Sequence, residues 1–522
     1  MTRTVLAAAL VALVTVQAGA YTFPVYNHNG TLVHPHWRVN TLPVIMQIND
    51  QTGPGLPNVT DDSDPMAALT RALLHWPAVS GVSFQQRSTS VASSAQDRIN
   101  LITFAATSEN QQVLEMAGEP IAVTLIFFNL VNGELTEADL LFNPLSNFTT
   151  TMNTDAELSD ADLEDIEAVA THELGHVIGL HHSGVESAAM WPIASVLDRQ
   201  PDADDIAGAR TLYPVAAPGG TIRGTVLVDG EPAFGAQVVA LAASGAVAAS
   251  ALTLPGGTYA IESLSPDTYT VYVEPFDGPQ SVTPDGGCVH VGNLSGAGIY
   301  DGATLTTNFA TTFAGDNDTP TAFALSVNGS VQVDFTLSSG AGAVNPTVIG
   351  PATVDNGGYS ATVSTHALSV SAGTEQWIAV AGPNLDQVAS DDISFYGPGI
   401  SVDAGSVIHA SGTCGEAPLP YLIFRTVIAP DAAGGGRSLM LKVGSQVGML
   451  TGGVRIAAAA PPCEGDCNVS GGVTIDELLT MVNIALGNVA VQACTPGDAN
   501  GDGRITVDEI LAAVNKALNG CQ

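Results

Sequence analysis

One run of this chain restricts its possible folds more than any other: His172-Glu173-Leu174-Gly175-His176-Val177-Ile178-Gly179-Leu180-His181-His182-Ser183. His172 and His176 stand four residues apart. On a helix they leave one face a turn apart and can grip a single metal ion. Gly179 lets the chain leave that helix through a left-handed residue, and His182 can then return as a third ligand. Three protein ligands leave a fourth position for water, the arrangement of a catalytic rather than a structural Zn²⁺. Glu173 follows the first ligand directly and can reach that water as general base. The surroundings suit a helix. Leu163, Ile166, Val169, Ala170, Val177 and Ile178 supply an apolar stripe. Asp160, Asp162, Glu164 and Asp165 place acid where a helix N-terminus favours it.

This run resembles the long zinc signature of the metzincin peptidases. Met190, in Ala188-Ala189-Met190-Trp191-Pro192, resembles their Met-turn, which puts a methionine under the zinc as a floor. Asp204 to Pro214 is similar to the final helix of the matrixin branch, and Gly133 to Asn143 to the strand pair before its active-site helix. The resemblance covers about residues 36 to 214. It implies an α+β catalytic domain, with a twisted mixed sheet backed by helices and a zinc cleft beneath an edge strand. It also implies a zinc endopeptidase with a protein or peptide substrate, in which Trp191, Pro192 and Ile193 line the pocket for the side chain after the cut. Two departures stand out. No histidine lies between His75 and His172, so the structural zinc of animal matrixins should be absent. The first cysteine is Cys288, so latency through a propeptide cysteine is not expected.

A chain of 522 residues should hold several domains. Arg3, the apolar stretch Val5 to Val16 and Ala18-Gly19-Ala20 read as a secretory signal over residues 1–20. The mature protein is then expected to be exported, monomeric and without membrane insertion. The formal net charge is −37, with only Lys442 and Lys516 as lysines. Such a chain does not neutralise phosphates, which excludes nucleic acid as a partner. Its acid suits solubility and calcium. Six cysteines in an exported chain suggest disulfides. Cys463, Cys467, Cys494 and Cys521 should pair among themselves, in any of three connectivities. Cys288 and Cys414 remain by elimination.

Within residues 21–214, strands are expected at 36–50, Ile99 to Phe104 and Ile121 to Asn129, with a helix from Met66 to Trp76. Ala216 to Gly220 reads as a linker. Residues 219–276 then show short strands (Thr221 to Val226, Ala236 to Leu241, Gly257 to Ile261, Thr268 to Val273) and resemble a carboxypeptidase regulatory-like β-sandwich. Residues 277–344 read as a β-rich extension. Residues 345–458 read as an immunoglobulin-like sandwich, from strands at Trp377 to Val380, Ile400 to Val402, Leu422 to Ile428 and Ser438 to Val443.

Residues 459–522 carry two twelve-residue calcium loops of EF-hand type. In the second, Asp498, Asn500, Asp502, Arg504, Thr506 and Glu509 offer oxygens, with Gly503 at the sharp turn. The first repeats the pattern with Asp466, Asn468, Ser470, Gly472, Thr474 and Glu477, and should be weaker because Ser470 replaces an acid. One helix follows each loop, Leu478 to Leu486 and Ile510 to Leu518. This resembles a type I dockerin module, which implies a cohesin-like partner. Ile475-Asp476 and Val507-Asp508 stand where dockerins often carry the Ser or Thr that reads that partner. The whole reads as a multidomain chain: metzincin-type domain, β-sandwich modules, then a small helical calcium-loop module. The expected function is that of a secreted zinc endopeptidase with Zn²⁺ and Ca²⁺ as cofactors. The rivals are an adhesion or scaffold protein with a vestigial protease domain, and a dockerin-borne component of a cohesin assembly.

Overall fold

The computed structural model describes the chain apart from residues 1–8, 15–22, 194, 216–218, 277–279, 283–287, 291–296, 341, 343, 356–357, 415–416, 458–463, 468–472, 499–502 and 520–522. It forms two compact units, Met1–Ile456 and Ala457–Gln522. Among the described residues no helix is long and apolar enough to cross a membrane.

In the first unit, period-two alternation makes Val44–Asn49 a strand whose Val44, Met46 and Ile48 are buried. It is shorter than the 36–50 expected. Pro43 supplies no N–H for a ladder, and Trp37 is engaged elsewhere. The Trp37 main-chain N–H donates to the Tyr213 hydroxyl at 3.0 Å and its indole to Val177 O at 2.8 Å. Val44–Asn49 lies between Phe84–Thr89 and Asn100–Thr103 in a six-stranded sheet, parallel to both. The order continues through Leu135–Phe142 and Ala122–Asn129 to Ala9–Val14. Ala122–Asn129 runs antiparallel to both its neighbours. The sheet is therefore mixed. Ala9–Val14 falls within the segment read as a leader; residues 1–8 and 15–20 of that segment lie outside the described residues.

Two helices pack in the core with this sheet. Pro65–Val79 starts at Asp64, whose carboxylate accepts the Ala67 N–H at 3.0 Å, and it buries Leu69, Leu73 and Trp76. Ile166–Val177 is buried along its whole length. It begins later than the apolar stripe suggested. Asp155–Ala161 is a separate short helix, and Asp162 takes a left-handed φ of 53°. Glu164–Asp165 pairs with Phe148–Thr149. Asp165 is then the cap, accepting the Ala168 N–H at 2.9 Å, and Arg199 grips its carboxylate at 2.5 Å.

Beyond residue 219 the first unit is mostly β-structure. One core gathers Ile222, Val226, Val238, Tyr259, Val271 and Phe335 between two sheets. The extension contributes to it: Ala322–Leu325 pairs with Asp267–Glu274, and Ser330–Gln332 and Phe335–Leu337 run parallel to Gly220–Val228. A second core, including Ile378, Val380, Phe424 and Leu441, lies between sheets of five and four strands. A further apolar cluster crosses all these divisions, joining Val185 and Ala188 to Val239, Leu241, Tyr272, Phe313, Val447 and Met449.

The second unit holds helices Ile475–Ala485 and Val507–Asn519. Both begin about one turn before the expected starts, because Thr474 and Thr506 cap them. Each threonine donates its N–H to the glutamate three residues on, Glu477 and Glu509, at 2.7 Å. Cys467 and Cys494 form a disulfide, while Cys463 and Cys521 lie outside the described residues.

Candidate active site

The histidine run folds as its spacing requires. His172 and His176 project from helix Ile166–Val177. The helix ends at Gly179, with φ of 96°, where a side chain would collide with Pro35 O. The chain turns back and brings His182 to the other two, so that ligand atoms of the three histidines lie within 4.8 Å of one another. Among the described residues this is the one group of its kind. His181 packs edge-on to His176 and His182 but is not part of it.

Hydrogen bonds orient the rings. His172 Nδ1 donates to Ala189 O at 2.8 Å and His176 Nδ1 to Leu180 O at 2.9 Å. With Nδ1 protonated, Nε2 keeps its lone pair. Both Nε2 atoms are buried without a hydrogen-bond partner, an unfavourable arrangement unless an ion completes it. Burial lowers His172 to about 4 and pushes His176 well down, so both stay neutral, the form that binds metal. The donor set, three neutral imidazoles around one point, fits zinc.

Glu173 is buried beside them. Burial raises its carboxyl to about 7, while the Thr124 hydroxyl, 2.5 Å from Oε2, favours the ionised form. Thr124 lies on strand Ala122–Asn129, the neighbour of the outermost strand Ala9–Val14. Sequence reading passed over it, since one threonine in an apolar strand carries no signal. Thr124→Val is expected to lower kcat about tenfold with KM little changed, since a hydrogen bond to a charged group contributes ~1.5–3 kcal/mol. Steady-state kinetics on a peptide substrate checks this; an unchanged kcat would mean that the hydroxyl positions nothing.

Met190 is buried against the helix that carries His172 and His176. Its sulfur lies so close to the helix that a Cβ at Gly175 would come within 2.1 Å of it. The turn is held by Asp205, which sequence reading also did not single out. Its carboxylate accepts the N–H groups of Ala189 at 2.7 Å, Met190 at 3.0 Å and Asp202 at 2.7 Å. Asp204 beside it accepts the Ser183 hydroxyl at 2.6 Å, and from strand Val247–Leu252 the Ser250 N–H at 2.6 Å. Trp191 is buried; Ile193 is half-buried.

In the second unit, Asp466, Glu477 and Glu509 are buried, and Asp498 Oδ2 accepts the Gly503 N–H at 2.8 Å. That bond folds the second loop back on its first residue. Gly503, at φ of 81°, takes the left-handed turn assigned to it. Arg504 is exposed. Asn468, Ser470, Gly472, Asn500 and Asp502 lie outside the described residues.

Three converging histidines beside a buried carboxyl make a candidate metal centre. Residues 48–214 match the matrixin family, whose members depend on zinc. Over short segments the chain is similar to metalloendoproteinases. It is 51% identical over 51 residues to Metalloendoproteinase 5-MMP of Arabidopsis thaliana, covering 9% of this chain and 14% of that one. It is 45% identical over 49 residues to karilysin of Tannerella forsythia (9% and 10%). It is 48% identical over 59 residues to the hatching enzyme of Paracentrotus lividus (11% and 10%). The matches thus span 14% or less of these relatives' lengths. Together they support a metalloprotease. Among solved structures, the major pilin subunit BcpA of Bacillus cereus aligns with 44% of this chain and 66% of its own at 11% identity, with a TM-score of 0.14. A putative carbohydrate binding protein of Bacteroides uniformis aligns with 46% and 94% at the same identity and score. At such scores these likenesses carry no argument.

Proposed function

We propose that this protein is a secreted zinc endopeptidase of matrixin type, with His172, His176 and His182 as ligands and Glu173 as general base. The observation that carries the reading is the convergence of three buried imidazoles beside the buried carboxyl of Glu173. Bound there, zinc supplies Lewis acidity toward a water and toward the scissile carbonyl. Glu173 Oε2 is held by Thr124, which leaves Oε1 to take the proton of the attacking water and pass it to the leaving amine. Met190 supports the site and is no ligand. Trp191, Pro192 and Ile193 belong to the wall met by the side chain after the cut.

The strand beside Glu173 suits a peptide substrate. Ala122–Asn129 pairs antiparallel with the extended segment Ala9–Val14, in the register Ala9 to Asn129 through Val14 to Thr124, and a substrate would add to the strand along that same side in its place. Strand addition of this kind satisfies a substrate's backbone without reading its side chains. The last pair of that register lies at Thr124, next to the base. The test is cleavage of casein by the full chain. Activity should vanish with a zinc chelator and return with added zinc, and elemental analysis should find one zinc. Cleavage indifferent to chelation would overturn the reading.

For the second unit we propose calcium binding at two loops, the second the stronger, with a cohesin-like protein as the partner the dockerin resemblance implies. Buried Glu477 and Glu509, each closing its loop onto a threonine, support this. Glu509→Gln should weaken calcium binding by about tenfold or more, because ligand charge sets affinity in such loops. It should leave casein cleavage unchanged. Calorimetry with calcium decides it; an unchanged isotherm would exclude that loop.

A further inference from the structure

Away from the histidines, a cavity of about 260 Å³ lies where three parts of the first unit meet. Glu186 and Trp191 reach it from the segment after His182, Glu274 from the end of strand Asp267–Glu274, and Asn345, Asn384 and Thr451 from the last β-sheets and their loops. We propose that this cavity binds a divalent cation of calcium's class, held by Glu186 and Glu274.

Four observations carry this. Glu186 is buried and its Oε2 has no hydrogen-bond partner, which is costly for an acceptor removed from water. The Trp191 indole N–H, on the same lining, is likewise buried and without a partner. Thr451 holds both glutamates on one wall: its carbonyl accepts the Glu186 N–H at 2.9 Å, and its hydroxyl donates to Glu274 Oε1 at 2.7 Å. No lysine, arginine or histidine is among the lining residues, so the charged side chains of the lining are acidic. A hydrated cation answers all four. The carboxylates and the amide oxygens of Asn345 and Asn384 are the hard donors calcium prefers. A water in its shell accepts from the indole. Burial, reinforced by Glu274, also pushes the Glu186 carboxyl well up, as expected of such a group while no ion offsets it. A cation there would pin the segment beneath the histidines to the β-structure.

Terbium(III), a calcium substitute, is the probe, with its emission excited through indole in the full chain. Residues 459–522 contain no Trp, Tyr or Phe, so the calcium loops of the tail have no aromatic antenna of their own. A saturable emission displaced by calcium is expected. Glu186→Gln and Glu274→Gln should each weaken it by about tenfold or more, since each removes a charged ligand. Trp191→Phe should dim the emission while leaving calcium binding by calorimetry intact, which keeps the proposal testable if a glutamine variant misfolds. Emission unmoved by either glutamine, or not displaced by calcium, would mean that the cavity holds only water and would overturn the proposal.

Discussion

Glu173→Gln is expected to keep the metal and lose the activity. None of the three imidazoles is altered, and their Nδ1 anchors, Ala189 O and Leu180 O, are main-chain atoms that the change does not touch. The amide oxygen of glutamine can still accept from the Thr124 hydroxyl. Burial opposes the charge on Glu173, so a neutral amide there should fold as well as the acid. What disappears is a group that can take a proton and give it back, worth ~10²–10⁴ in rate. Casein cleavage should fall by that factor while elemental analysis finds unchanged zinc. A variant with wild-type turnover would place the base elsewhere; one without zinc would show that the carboxylate holds the ion.

The three-histidine group was legible because its members are local. Two histidines a turn apart and a third behind a glycine need only helix geometry and one left-handed residue, and the spacing of His172, His176, Gly179 and His182 states both. Strand Val44–Asn49 was legible for a similar reason: one face is buried and one half-exposed, so Val44, Met46 and Ile48 alternate. The start of the active-site helix was misplaced because periodicity alone cannot tell a helix from a short helix followed by a cap. Leu163 kept the rhythm, but Asp165 made the better N-cap once Arg199 held it.

The residues that sequence reading passed over act across long separations. Thr124 meets Glu173 from a strand 49 residues away. Asp205 meets Ala189 and Met190 from a helix 15 to 16 residues on. Their chemistry is ordinary at the level of residue type, one hydroxyl and one carboxylate; only the fold gives it a target. Asp205 lay inside the helix similar to the last one of matrixins, yet nothing in its composition distinguished it from Asp204. The structure separates them: one carboxylate supports the Met-turn and the other joins Ser183 to Ser250.

That last connection bears on how much chain the site needs, and a chain cut after Pro214 is expected to lose most of its activity and stability. The segment after His182 is built into the β-structure. Val185 and Ala188 belong to a core whose other buried members all come from beyond residue 238. Glu186 donates its N–H to Thr451 O at 2.9 Å, and Asp204 accepts the N–H and hydroxyl of Ser250 at 2.6 and 3.1 Å. Exposing Val185 costs ~1.5–3 kcal/mol, and losing hydrogen bonds to a buried carboxylate about as much again. Against a typical margin of ~5–15 kcal/mol, the sum is a large share. It falls on the turn that holds Met190 and orients His172 through Ala189 O. A chain cut instead after Ile456 removes only the second compact unit and should keep casein cleavage and melting temperature near those of the full chain. Thermal melts and cleavage rates of the two truncations, side by side, give the answer. Full activity from the shorter one would mean that the segment matching the matrixin family stands alone and that its contacts with Ser250 and Thr451 do nothing for the three-histidine site.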